Sequence, residues 1–224
     1  VKRSTRRLFR DYSLTIVLAV SVALGVRTFL LEAYQVPGSA MKPSLLAGDT
    51  LFAAKWSFQL QHHSLPDRGD VIVYTAPSEL DSTKRLNFIR RVIGHPGDEV
   101  RIENGIVILN GKPLAADPGP VNIPANPCSS ETLPSGRTYE ICRDTPVMEN
   151  FGPEIIPDHS VFVLGDQRTA SEMKKRKPWA MVPLSSIQGK GFYIWLSIEP
   201  VPHFGQGGSW FPHFRLNRMF RRVK

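Results

Sequence analysis

Residues 99–111 read "EVRIENGIVILNG". An apolar run, Ile106 to Leu109, is bracketed by Asn104-Gly105 and Asn110-Gly111. Asn-Gly between alternating apolar residues is the strongest short signal for a two-residue hairpin turn, because both residues accept positive φ. The stretch therefore predicts three short antiparallel strands. Working outward, "DVIVYT" (70–75), "FIRRVI" (88–93), "SVFVLG" (160–165) and "GFYIWLS" (191–197) share the same grammar. They are short, rich in β-branched and aromatic residues, and several are bounded by Gly or Asp. A mainly β domain is expected. Residues 115–158 differ, being rich in Pro and Asn and weakly periodic, and read as an insertion or cap on the core. No internal repeat is present.

Ahead of the β region lies "SLTIVLAVSVALGVRTFLLEAY" (13–34). Ser13 to Leu31 would make about 28 Å of helix, close to the thickness of a bilayer core. Arg27 near its far end can snorkel to the interface. Lys2, Arg3, Arg6, Arg7 and Arg10 precede it, which predicts the N-terminus in the cytoplasm and the rest outside. A cleaved signal peptide is the rival reading, but "SVA" (21–23) is a poor cleavage site because apolar residues continue past it. The expected organisation is a cytoplasmic basic segment (1–12), a transmembrane anchor (13–34) and an extracytoplasmic domain (35–224). The domain divides into a core of about 35–114 and 159–200, an insertion of about 115–158 and a tail at 201–224.

The net charge of +8 is concentrated at the two ends of the chain, and no nucleic-acid motif lies between them. In the tail, Trp210, Phe211, Phe214 and Phe220 mix with arginines. Either these aromatics pack on the domain, or the tail touches lipid headgroups. Cys128 and Cys142 are the two cysteines; in an exported domain they either pair or remain separate buried thiols. His62-His63 falls in a polar loop and His95 in the turn "GHPGD". No zinc-ligand spacing appears, so neither metal nor cofactor is expected. The Gly-Asp pairs at 48–49, 69–70, 97–98 and 165–166 read as strand-end turns.

Four stretches in order resemble the type I signal peptidases, the membrane-anchored serine peptidases that remove signal peptides from exported preproteins. They are "VPGSAMKPSLLAGD" (36–49), "RGDVIVY" (68–74), "NFIRRVIGHPGDEV" (87–100) and "VLGDQRTAS" (163–171). "ETLPSGRTYEI" (131–141) looks like the family's bacterial insertion. The resemblance implies a β-rich core with a smaller inserted subdomain, preceded by one N-terminal transmembrane helix. It also implies a single-pass protein of the inner (cytoplasmic) membrane with its main domain periplasmic or otherwise extracytoplasmic.

The family's chemistry is a serine nucleophile activated by a neutral lysine. At the nucleophile position, directly before Met41 and ahead of Pro43, this chain has Ala40. Alanine carries no oxygen with which to attack a carbonyl. The general-base position is Arg90, and a guanidinium stays protonated. Ser171 matches the serine that orients the lysine, and Gly165-Asp166 keep the start of the fourth motif. Val36, Pro37, Gly38, Met41, Phe88 and Ile89 match the substrate groove, where a peptide is held as an added strand. The fourth motif departs from the family at Gln167, Thr169 and Ala170 and in the following "EMKKRKP".

Ser39 is a poor substitute nucleophile, since in an extended segment it faces away from Ala40's side. Lys42 and Lys84 read as solvated surface lysines. Loss of both dyad members points to natural divergence, because a second lesion in a catalytic unit removes little further activity. The expected function is therefore a pseudoprotease that keeps a signal-peptide groove or a regulatory role. Its expected partners are signal peptides or preproteins, the lipid bilayer and an active signal peptidase. The alternatives are an active peptidase with a replaced or mutated dyad, and a structural membrane domain with an unused groove.

Overall fold

A computed structural model describes residues 2–29, 31–55, 65–78, 83–116, 128–143, 150–168, 179–200 and 213–223. One helix, α1 (Lys2–Phe29), precedes the strands β1 (Leu31–Gln35), β2 (Asp49–Ala54), β3 (Val71–Pro77) and β4 (Arg85–Gly94). Then come β5 (Glu99–Glu103), β6 (Ile106–Leu109), β7 (Lys112–Pro113), β8 (Ala115–Ala116), β9 (Cys128–Thr132) and β10 (Thr138–Arg143). The chain continues with β11 (Phe151–Ile155), β12 (Ser160–Leu164), β13 (Gln167–Arg168), β14 (Trp179–Pro183), β15 (Ile187–Ser197) and β16 (Arg221–Arg222).

Three sheets result. The largest runs β1-β2-β15-β3-β4-β12-β14, with β16 added to β15. A second has the order β13-β10-β9-β8, and a third β11-β5-β6-β7. Both Asn-Gly turns form: Asn104, Gly105, Asn110 and Gly111 all have positive φ, and β5, β6 and β7 pair antiparallel through them. The described residues of 115–158 are divided between two sheets, because β11 pairs with β5 while β8, β9 and β10 belong to the second sheet. Cys128 and Cys142 stand directly opposite each other in the β9–β10 ladder and are joined by a disulfide.

α1 is 28 residues long, and its side chains at 10–22 are exposed. Among the described residues, no helix is long and apolar enough to cross a membrane. Leu31 to Tyr34, expected at the end of the anchor, instead belong to β1 and pair with β2 from Leu31↔Ala54 to Tyr34↔Leu51. Tyr34 is buried there, so packing on the sheet outweighs continuation of the helix.

The central strands are covered on both faces. On β3, Val71 and Val73 enter one cluster with Val36, Met41, Leu45 and Ile89, while Ile72 and Tyr74 enter another with Val92 and Val163. A third cluster fills the space toward the smaller sheets, around Val100, Ile102, Leu133, Tyr139, Ile141 and Phe162. Each such fully buried aliphatic side chain contributes about 1.5–3 kcal/mol.

The four Gly-Asp pairs do more than turn the chain. Asp49, Asp70, Asp98 and Asp166 are all buried, and each holds at least one basic side chain. Asp49 takes Arg215 and Arg218, Asp70 takes Arg137 and Lys190, Asp98 takes Arg68, and Asp166 takes Arg91. Gly48 is required at its place: its φ is +85°, and a Cβ would collide with the Ile198 carbonyl. Asp49 is thereby set against the tail. Arg218 reaches it at 2.7 Å and the Ser44 carbonyl at 3.0 Å, while Arg215 reaches the Ala47 carbonyl at 2.6 Å. Arginines rather than aromatics dock the tail, since Phe214 and Phe220 are 53% and 68% exposed. Trp210 and Phe211 lie outside the described residues.

Candidate functional site: the Ala40 turn and the Arg90 strand

Ala40 sits in the turn that follows β1. Lys42 N–H donates to the Ser39 carbonyl at 2.9 Å, and Leu45 N–H to the Met41 carbonyl at 2.8 Å. Met41 and Leu45 fix the turn by burying their side chains completely or nearly so. From the other side, Gln167 N–H donates to the Ala40 carbonyl at 3.1 Å. Gly165 makes this close approach possible. A Cβ there would stand 2.6 Å from the Ala40 oxygen and 3.8 Å from Arg90 Cδ. Ala40 and Arg90, far apart in sequence, thus meet at one glycine.

Arg90 is 9% exposed and donates from Nη1 to its neighbour's carbonyl, Ile89 O, at 2.8 Å. It lies opposite Ile72 on β3, on the face of β4 that carries Phe88 and Val92. Ile89 leaves the opposite face and packs with Val36 and Met41. The groove residues named from sequence are therefore divided. Val36, Met41 and Ile89 form one buried apolar patch, Pro37 is exposed, and Gly38 is half-buried beside Ala40. Phe88 instead stacks on Tyr74 at 5.5 Å beside a separate cavity of about 290 Å³ that Trp179 and Met181 also line. β1 is an edge strand that pairs with β2 alone among the described residues, so one edge leading to the turn is open. Ser171 lies outside the described residues, as do His62 and His63. Lys42 and Lys84 are exposed.

A buried charge ring supports the site, and the sequence reading missed it apart from Asp166. Asp166 accepts from Arg91 through both oxygens, at 2.8 and 2.6 Å, and from Ser44 Oγ at 2.5 Å. Arg91 also donates to the Gly69 carbonyl at 2.8 Å and lies 4.3 Å above the Tyr139 ring. Tyr139 donates to Glu131 at 2.5 Å, Glu131 accepts from Arg168 at 2.7 and 3.2 Å, and Arg168 Nε returns to the Gly165 carbonyl at 2.9 Å. The ring joins the Ala40 turn to the second sheet through β13, whose two residues pair parallel with β10. Its fixed arginines stabilise charge but cannot accept protons.

Burial acts to raise the Glu131 carboxyl, but Arg168 outweighs it and holds the group below the usual carboxylate range. Asp49 and Asp98 are held low in the same way, against burial, chiefly by Arg218 for the first and by the His95 N–H and Arg68 for the second. The Tyr139 hydroxyl is pushed well up, first by burial and then by Glu131. A carboxyl with a depressed folded pKa stabilises the fold above its unfolded value and stops doing so as pH falls through the folded value. The steep loss of stability on acidification is thus expected below about pH 4, the unfolded carboxylate range. Urea midpoints measured from pH 7 to 2 check this; a midpoint unchanged down to pH 2 would contradict it. His95 itself is tied into its turn, with N–H to Asp98 at 2.8 Å and Nε2 at 2.8 Å from the Pro66 carbonyl. Among the described residues no cluster of His, Cys, Asp or Glu could hold a metal ion.

Comparison with known proteins finds relatives along most of the chain. A family model described as signal peptidase, peptidase S26, matches residues 9–196. The "Probable signal peptidase I-2" of Synechocystis is 35% identical over 193 residues, covering 85% of this chain and 73% of that protein. The signal peptidase I of Rickettsia typhi is 25% identical over 257 residues, covering 98% of this chain and 96% of its own. The crystal structure of a signal peptidase I from Enterococcus faecalis V583 is 20% identical, with a TM-score of 0.36 over 57% of this chain and 97% of that one, a likeness too loose to align residues.

Proposed function

This chain belongs to the signal peptidase family, peptidase S26, and from that membership we propose a membrane-anchored member that holds signal-peptide ends without cutting them. The observation that carries the reading is the meeting of Ala40 and Arg90 at Gly165. The family's nucleophile position has no oxygen, and its general-base position has a guanidinium that cannot be neutral. The surrounding frame is kept, with Asp166 and Arg91 paired beneath the turn. A frame retained around an absent dyad favours binding over catalysis.

The bound segment enters as a strand beside the β1 edge, with small side chains against Val36, Met41 and Ile89. Arg90 supplies a fixed positive charge where the scissile bond would lie, so the favoured ligand is a free carboxylate, the end left after a signal peptide is cut. An active signal peptidase in the same membrane would produce that end. Anchoring is supported by the apolar run 14–26 behind a basic flank, and by exposed Leu14, Ile16, Val17 and Leu18 on α1. This reading puts residues 1–12 in the cytoplasm, the span in 13–34 and the domain from 35 onward outside.

Peptides ending in Ala-x-Ala are expected to bind about tenfold tighter with a free C-terminus than as the amide, a difference of about 1.4 kcal/mol. Fluorescence anisotropy on the detergent-solubilised full chain measures both. Equal binding would remove Arg90 from the contact, and no binding of either would leave the groove unused.

A further inference from the structure

The tail from residue 213 uses its arginines in two ways. Arg215 and Arg218 are committed to Asp49, Ser197 and the carbonyls of Ser44 and Ala47. Arg221 and Arg222 are not. They form β16 on the side of β15, opposite Ile194 and Tyr193, and both are exposed. Among the described residues neither guanidinium has a carboxylate partner.

Both line a cavity of about 540 Å³. One wall is the turn after Ala40, through Pro43 and Ser44; the other is β9 and β10, through Ser130, Thr138 and Glu140. Arg218 also lines it. Three guanidiniums and four hydroxyls line it against one carboxylate, and planar guanidiniums match the oxygens of a phosphate two at a time.

The same tail segment adds a second observation. Phe220 directly precedes Arg221, is 68% exposed and has φ +61°. Positive φ is costly for a bulky side chain, and here the turn is pinned by Phe220 N–H donating to the Ile194 carbonyl at 2.8 Å. Phe214, Leu216 and Phe192 are exposed nearby in the sequence and on the neighbouring strand. Exposed arginines lining a hollow, on a tail segment that also exposes aromatic and aliphatic side chains, have the composition of a lipid-headgroup contact. Register sets the distance from the helix. Leu51 pairs with both Tyr34 and Ile194, so Ile194 is level with Tyr34, three residues past Leu31, and the cavity lies about 10 Å along the strand direction from the end of α1 and two strands across.

We propose that this cavity binds the phosphate of an anionic phospholipid headgroup, with Arg221 and Arg222 as its cationic ligands and Phe214, Leu216 and Phe220 beside the acyl chains. Only the source of the phosphate rests on the membrane-anchored reading; the cavity's chemistry does not depend on whether the protein cuts peptides.

The test uses the full chain in a zwitterionic detergent, titrated with six-carbon phosphatidylglycerol, the matching phosphatidylcholine, or inorganic phosphate. Affinity is read by native mass spectrometry, and the location by hydrogen exchange of residues 216–223. Phosphatidylglycerol is expected to bind and to protect that segment, with phosphatidylcholine at least about tenfold weaker. An R221Q/R222Q variant is expected to lose at least about tenfold of the phosphatidylglycerol affinity with an unchanged thermal midpoint, since both side chains are exposed. Unaltered affinity in the variant, or equal binding of the two lipids, overturns the proposal. Inorganic phosphate binding as tightly as phosphatidylglycerol overturns the lipid assignment and leaves a free-phosphate site.

Discussion

An A40S/R90K double variant is expected to cut a preprotein at an Ala-x-Ala site, while the chain as it stands and each single variant leave it whole. The serine supplies a hydroxyl where Ala40 has none. The lysine must lose its proton near neutral pH, although its ordinary pKa is about 10.4. The setting of residue 90 favours that loss. It is 9% exposed, on the strand face shared with Phe88 and Val92, and burial lowers a lysine pKa by up to about 3–5 units. Members of a catalytic unit act together, so either change alone restores little. The gain for the pair should be at least about a thousandfold over the floor of the single variants, and should rise with pH through the lysine's titration. Gel assay of full-length protein in detergent, at high enzyme concentration and long incubation, measures it. Cleavage by the unaltered chain at the same site sinks the non-cutting reading. Failure of the double variant with peptide binding intact puts the divergence in Gln167, Thr169 and Ala170 as well.

The second large effect concerns stability. Asp166→Ala is expected to cost about 3–5 kcal/mol, because it leaves the Arg91 charge buried without a counter-charge. Both side chains are fully inaccessible, so water cannot take over the lost contacts. The D166L/R91M pair, which removes both charges, should cost far less than Asp166→Ala. Urea midpoints of the three proteins decide the matter. A loss under about 1 kcal/mol for Asp166→Ala would mean that Arg91 finds another partner, and the ring would not be what secures the site. Peptide affinity should fall with Asp166→Ala as well, since Ser44 in the Ala40 turn hangs on the same carboxylate.

Strand-level architecture was legible where local chemistry decided it. Asn-Gly at 104–105 and 110–111 names its own turn, because few other residues accept that backbone. The proposal that Ala40 and Arg90 stand at the dyad positions rests on flanking residues, Met41 and Pro43 on one side and Arg91 on the other, that keep the family pattern. Partners across long sequence distance were not legible. The Gly-Asp pairs looked like turns, and nothing near Asp49 in sequence points to Arg218, 169 residues away. Arg168 joining Glu131 depends on β13 lying parallel to β10, a register that two residues cannot announce. In the tail, the mixture of aromatics and arginines was visible, but which kind would pack inward was not. Asp49 is fully buried on the sheet and needs a counter-charge, which the arginines supply.

The Asp49 clasp also bears on how the protein is made. The ribosome releases Asp49 long before Arg215, 166 residues later, an interval on the order of ten to thirty seconds at ordinary elongation rates. Through that interval the carboxylate has no arginine to meet and is better off in water than in its final place. The turn carrying Ala40 therefore lacks its arginine clasp while the strands around it are being laid down. The clasp closes last, when the tail arrives, so a chain still being made would expose an unfinished turn to chaperones.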